Sequence, residues 1–139
     1  METEGNAFWD DLAEDLKDPE FLREYVRESV RIETIDLLVN ALDDARAAAG
    51  LSKAALARAV RAEPAVVRRL FSASRVNPTL GTLAELAAAL GMRVTLEPIP
   101  AADQQYLTEP LLEGARVDRK ALAKHVAGMR DRKREQVVA

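Results

Sequence analysis

Apolar residues recur at spacings of three and four along much of this chain, and that pattern predicts amphipathic helices. Asp18-Pro19 predicts a helix start, with Asp as N-cap and Pro at the first helical position. This helix ends near Ser29 or continues into the next one, which the spacing places from Ile32 to Ala49 with Gly50 as its terminating residue. A further amphipathic helix is predicted near the N-terminus from four apolar residues: Phe8, Trp9, Leu12 and Leu16.

The stretch from Lys53 to Ser72 has the spacing of two short helices joined by a tight turn. Ser52 is the predicted cap of the first helix, and Pro64 is the predicted first residue of the second. Ala57 supplies a small residue where the helices touch, and the predicted buried positions are Leu56, Val60, Ala62, Val67 and Leu70. This is the spacing of a helix-turn-helix, a motif that places its second helix in the DNA major groove. We therefore expect the chain to bind DNA.

Pro78-Thr79 predicts one more helix, from Leu80 to Leu90, and Gly91 ends it. The next segment, Met92–Glu97, alternates apolar and polar residues and predicts a strand with Met92, Val94 and Leu96 on one face. A single strand needs a partner for its backbone groups, and the simplest partner is the same strand of a second copy, in a twofold dimer. The alternative is that the segment is an extended linker.

The predicted organisation has three parts. Residues 1–30 form an acidic helical extension, residues 31–97 form the helix-turn-helix domain with its strand at 92–97, and residues 98–139 form a Pro-containing linker and a basic C-terminal helix. Residues 98–113 contain three prolines and predict a loop or a weakly ordered segment. The predicted fold class is therefore mostly α, with one C-terminal strand.

Charge is distributed unevenly along the chain. The formal net charge is −3, but residues 1–50 carry fourteen acidic and five basic side chains, while residues 51–100 carry seven basic and three acidic ones. The basic excess therefore coincides with the predicted helix-turn-helix, which favours a nucleic-acid partner there. The absence of cysteine and of a signal-peptide pattern favours a cytoplasmic protein, and no stretch has the roughly 20 apolar residues of a membrane span.

Several short motifs resemble the lambda-repressor-like (XRE-type) helix-turn-helix family over residues 18–98. They are Leu51-Ser52, Leu56-Ala57, Val67, Leu70, the Asn77-Pro78-Thr79-Leu80 run, Thr82-Leu83 and Leu90-Gly91. The stretch Asp18–Tyr25 and the Leu-Gly-Met-Arg-Val-Thr-Leu run at 90–96 resemble the HigA-like antitoxins of type II toxin–antitoxin modules. The resemblance implies a homodimeric repressor of a partly palindromic DNA operator, with a toxin protein as a further partner.

The resemblance also implies which residues contact DNA. Bases would be approached by the start of the second helix and its arginines: Glu63, Pro64, Ala65, Arg68 and Arg69. Phosphates would be held by the start of the first helix and by the loop after the second: Lys53, Ser72, Ser74 and Arg75. The chain departs from the family in having Arg61 at the usual turn glycine, where a left-handed backbone would cost about 1 kcal/mol or more. It also has apolar Pro64-Ala65-Val66 where polar side chains are common, so we expect modest sequence specificity.

Alternatives stay open for several of these residues. The alternative for Arg68, Arg69 and Lys53 is an ordinary solvated helix surface, and the alternative to a phosphate contact for the basic tail, Arg130 to Arg134, is a frayed, solvated end. Phe8 and Trp9 could dock a toxin or fold back onto the core. The second function class is a protein-interaction module that keeps the helix-turn-helix scaffold and binds little DNA.

The sequence offers no support for an enzyme. It contains no arrangement of nucleophile, histidine and acid, no glycine-rich phosphate loop and no His/Cys ligand set, and its single histidine, His125, has no cysteine nearby. We therefore expect no catalysis, no metal and no cofactor.

Overall fold

A computed structural model describes residues 2–72, 76–114 and 118–138, and their side chains over 6–72, 76–114 and 118–129. The described residues form helices and no strand, which confirms the mostly-α prediction. The helices are α1 Glu2–Asp15, α2 Pro19–Ala48, α3 Lys53–Ala59, α4 Pro64–Ser72, α5 Leu80–Ala89, α6 Ala101–Tyr106, α7 Thr108–Glu113 and α8 Arg119–Val138.

Helix starts follow from local capping, as the sequence predicted. A carboxylate oxygen of Asp18 accepts the Glu20 backbone N–H at 2.9 Å at the start of α2. The Ser52 hydroxyl accepts the Ala55 N–H at 3.0 Å at the start of α3. Because the first N–H groups of a helix have no partner within it, such side chains stabilise the helix end by about 1 kcal/mol.

Helix α2 is continuous over its 30 residues. The sequence left open whether the helix starting at Pro19 joins the one predicted from Ile32, and no Gly or Pro interrupts this stretch. The chain divides into two compact units, one of residues 34–97 and one of residues 1–33 with 98–139. The two chain ends, predicted as separate segments, thus belong to the same unit.

The core of residues 34–97 is formed by the end of α2 together with α3, α4 and α5. Leu56, Ala57 and Leu86 are completely buried in it. The other buried members are Val39, Leu42, Val67, Leu70, Leu83 and Ala87. Helix α3 packs against both α4 and α5. Of the five positions predicted to be buried in the helix pair, Leu56, Val67 and Leu70 are therefore buried. The other two, Val60 and Ala62, are half-buried and pack against the same core.

The other unit has its own core, in which α1 packs against α8, and α6 packs against α7 and α8. Its buried apolar residues are Leu16, Leu22, Val26, Leu107, Leu122, Ala123, Val126 and Met129. The prediction of a loop over 98–113 is wrong, since α6 and α7 lie there. Pro100 precedes α6 and Pro110 lies in the first turn of α7, where a missing N–H breaks no helical hydrogen bond.

The segment Met92–Glu97 forms no strand within the described single chain, and a strand paired with a second copy stays a prediction. A strand is defined by hydrogen bonds to a neighbouring strand, and no described segment of this chain pairs with residues 93–97 in that way. Beyond the Met92 N–H, which donates to Ala87 at 2.7 Å, residues 93–97 make no backbone hydrogen bond to the described chain. Val94 nevertheless packs against the core of residues 34–97.

Candidate nucleic-acid interface

The candidate interface is built on α3, α4 and the four residues between them. After α3 ends, the Arg61 N–H donates to the Arg58 carbonyl at 3.2 Å and the Ala62 N–H donates to the Ala57 carbonyl at 2.9 Å. These two bonds form a Schellman motif, which ends a helix through one residue in the left-handed conformation. That residue is Arg61, whose φ is +54°.

The same motif ends α2 and α5, where glycine occupies the left-handed position. Gly50 has φ +71° and Gly91 has φ +74°. Arg61 is the only non-glycine residue with positive φ in the described chain. The left-handed region costs a residue with a Cβ about 1–2 kcal/mol, so the turn before α4 is strained. This is the strain expected from the sequence at the position of Arg61.

Helix α4 has one buried face and one exposed face. Val67 and Leu70 are buried in the core, whereas Pro64, Ala65, Val66, Arg68 and Arg69 are exposed, as is Glu63 just before the helix. The candidate base-contacting residues therefore lie together on and before one helix, on its solvent side. Since the buried face anchors α4, this side is held in a defined orientation for a ligand.

The cations of this region have no acidic partner among the residues that the structure describes. Arg68, Arg69, Arg58 and Arg61 are exposed and form no salt bridge within the described part of the chain, and neither does the half-buried Lys53 at the first position of α3. By contrast, α2 pairs Arg27 with Glu24 and Arg31 with Glu28. The charge on α3 and α4 is thus available to phosphates or to base edges.

The candidate phosphate contacts after α4 are less well placed. The Ser72 hydroxyl donates its proton to the backbone carbonyl of Arg68, so that proton is not free for a phosphate oxygen. Ser74 and Arg75 lie outside the described residues. The loop returns to the described chain at Val76, and the Thr79 hydroxyl then accepts the Thr82 N–H at 3.1 Å, which caps α5.

An open groove of about 370 Å³ lies beside α4. Val66 and Arg69, one helical turn apart, form one wall together with Leu70, and the start of α5 and the residues before it form the other. The residues on that side are Val76, Asn77, Pro78, Thr79 and Thr82. An apolar side chain and a guanidinium therefore border the same groove.

Arg46 near the end of α2 joins the parts of this region, a role that its sequence context did not predict. Its side chain is only 18% exposed, pairs with Asp43 at 2.8 Å and donates to the Leu51 carbonyl at 2.7 Å. Its guanidinium also lies 5.9 Å from the centre of the Phe71 ring at the end of α4. Arg46 thereby joins α2, the turn before α3 and α4. The i, i+3 spacing of Asp43 and Arg46 was the only sequence signal.

The candidate dimerisation residues differ in how exposed they are. Met92 is 43% exposed and Leu96 is fully exposed, while Val94 is half-buried against the core.

Among the other singled-out residues, Trp9 packs against the core of its unit, and Phe8 is 60% exposed and meets the Trp9 ring edge-on.

The single histidine lies in the unit formed by residues 1–33 and 98–139. His125 Nε2 lies 2.7 Å from Asp103 Oδ1, and the imidazole stacks on the Tyr106 ring at 4.4 Å between centroids. No group of three or more possible metal-ligating side chains converges in the described chain. The His125–Asp103 pair therefore joins α8 to α6 as a packing contact.

No protein-family model matches this chain, and no curated protein or solved structure matches it. Across the helices of the described residues, none combines the length and the apolar character that crossing a membrane requires. The support for the candidate interface therefore comes from the burial, exposure and charge of the residues on α3 and α4.

Proposed function

We propose that this protein is a non-catalytic, sequence-specific regulator that binds double-stranded DNA, with α3–α4 acting as a helix-turn-helix and α4 as the recognition helix. The observation that carries the proposal is the two-sided character of α4. Its inner face is anchored by Val67 and Leu70, and its outer face presents Arg68 and Arg69, which have no acidic partner in the described chain. The proposal includes a cytoplasmic location.

The expected contacts follow from the chemistry of the exposed residues. An arginine of the outer face binds guanine O6 and N7 in the major groove, which discriminates against other bases by roughly 1–3 kcal/mol. Glu63, exposed before α4, accepts a hydrogen bond from a cytosine amino group. Lys53 at the start of α3 binds a phosphate and sets the register of α4 in the groove.

We further propose that the protein acts as a homodimer through the segment Met92–Glu97. The backbone of residues 93–97 makes no hydrogen bond to the described chain, and the Leu96 side chain is fully exposed. In an antiparallel ribbon, the same segment of a second copy would supply hydrogen-bond partners for this backbone and would cover the Leu96 side chain. The two α4 helices would then enter successive major grooves about 34 Å apart, and occupancy of a promoter would block transcription.

An antitoxin role is the narrower form of this proposal. A partner protein such as a toxin would bind outside the DNA-contacting face, and the exposed Phe8 ring on the acidic α1 is the part of the extension that offers an anchor. Occupancy of the promoter would then depend on the amount of that partner.

The second candidate function is a protein-interaction module that uses α4 without binding DNA. One observation favours it: the exposed residues at the start of α4, Pro64, Ala65 and Val66, are apolar and offer no side-chain hydrogen bonds to base edges. An apolar protein interface would be insensitive to salt, whereas DNA binding weakens steeply with salt because counterions are released from phosphates.

Fluorescence anisotropy with labelled duplex DNA tests the proposal. Duplexes enriched by the protein from a random pool are compared with scrambled sequences at two salt concentrations. The Arg68→Ala/Arg69→Ala variant is compared with a matched control, Arg27→Ala/Arg31→Ala, which removes two exposed arginines that are already paired with glutamates on α2. Loss of binding only in the first variant supports the proposal. Equal loss in both, or no preference over scrambled DNA, contradicts it and favours the protein partner.

A further inference from the structure

The start of α4 exposes an apolar surface that the arginine contacts do not explain. Val66 is 49% exposed, although the next residue, Val67, is 1% exposed in the core. Ala65 beside it is also exposed. About half of the Val66 surface stays in contact with solvent in the free protein, and that apolar surface is available to a ligand.

We propose that Val66, together with Ala65, contacts the 5-methyl group of a thymine in the major groove, next to the base pair bound by Arg69. The inference rests on the proposed DNA-binding function and specifies which base the apolar residues recognise. It assigns to this chain a specificity that comes from shape and apolar contact rather than from hydrogen bonds at that position.

The chemistry of the major groove selects thymine. Guanine presents two acceptors there, cytosine an amino donor, adenine an acceptor and a donor, and thymine one acceptor and a methyl group. Valine and alanine side chains neither donate nor accept, so covering a polar base edge with them would leave that edge unpaired, at a cost. The thymine methyl is the one base-edge group whose burial against Val66 is favourable.

The spacing on the helix places this contact beside the arginine contact. Val66 and Arg69 are three residues apart and border the same groove. Three residues correspond to about 4.5 Å along a helix axis, and base pairs are stacked about 3.4 Å apart. The thymine is therefore expected one or two base pairs from the guanine that Arg69 binds, in each half of the site.

Replacement of thymine by deoxyuridine tests the inference, because it removes the methyl group and keeps every hydrogen-bonding atom. A duplex selected by the wild-type protein is prepared with each thymine replaced in turn, and dissociation constants are measured by anisotropy. We expect one replacement per half-site to weaken binding three- to tenfold, and replacements elsewhere to change it less than twofold.

The variant Val66→Ala assigns the effect to its residue. We expect its thymine preference to be smaller than that of the wild type, because Ala65 and the new alanine keep part of the methyl contact. The fold should be kept, because the Val66 side chain is exposed. Leu80→Ala is the matched control, since Leu80 is another exposed apolar residue, 68% exposed at the start of α5. It should keep the full thymine preference.

The outcomes separate the two proposals. Specific DNA binding with no deoxyuridine effect at any thymine overturns the methyl contact and leaves the DNA-binding function standing. A deoxyuridine effect of full wild-type size in Val66→Ala overturns the assignment to Val66. A failure to select any DNA overturns the proposed function itself, and the exposed valine would then belong to a protein interface.

Discussion

Replacing Arg61 by glycine should stabilise the protein. In the Schellman motif after α3, Arg61 has φ +54°, while the equivalent positions after α2 and α5 are Gly50 and Gly91. The left-handed backbone costs a residue with a Cβ about 1–2 kcal/mol, and glycine removes that cost. Glycine also raises the entropy of the unfolded chain, which costs about 0.4–1 kcal/mol. The expected net gain is about 0.5–1 kcal/mol in the free energy of unfolding.

Urea unfolding followed by circular dichroism measures this gain. Arg61→Ala is the matched control, because it removes the charge and the long side chain but keeps the strained backbone. We expect Arg61→Gly to be more stable than Arg61→Ala by about 1 kcal/mol, with an unchanged dependence on urea. The reverse substitution, Gly50→Ala, should destabilise, although nothing lies within 4 Å of the added Cβ. If Arg61→Gly were no more stable than Arg61→Ala, the explanation by backbone strain would be refuted.

Three further predictions test packing and assembly. Arg46→Met should lower the free energy of unfolding by about 1–3 kcal/mol, because it removes charged hydrogen bonds from a largely buried side chain. The control Arg58→Met, at an exposed position, should change it by less than about 0.5 kcal/mol, and equal effects of the two variants in chemical denaturation would contradict the role of Arg46. His125→Ala should cost about 1–3 kcal/mol in the same assay, and Asp103→Asn, which can still hydrogen-bond to the imidazole, should cost less; a larger loss in the asparagine variant would argue against a hydrogen bond as the cause. Leu96→Asp should convert a dimer to a monomer in sedimentation equilibrium without loss of helical signal, and a dimer that survives the substitution would rule out the proposed ribbon.

Much of the helical pattern was predictable because helix ends depend on neighbouring residues. Asp18 and Ser52 cap their own helices through side-chain bonds to backbone groups two or three residues away. Pro64 opens α4 at a position where its missing N–H has no cost. For the candidate site, the sequence predicted the exposed arginines and the strain at Arg61, since amphipathic spacing and turn chemistry are also local properties.

The sequence by itself thus determined where most helices start and end and which faces of α3 and α4 are buried. Tertiary structure decided what depends on distant partners: α6 and α7 form where a proline-containing loop was expected, the two chain ends share one core, and Arg46 joins α2 to Phe71. Met92–Glu97 shows the same limit, because its alternation predicts a strand, yet a strand exists only where another segment supplies its hydrogen bonds. Local propensities are encoded in a few adjacent residues, whereas contacts between distant residues depend on how the whole chain packs.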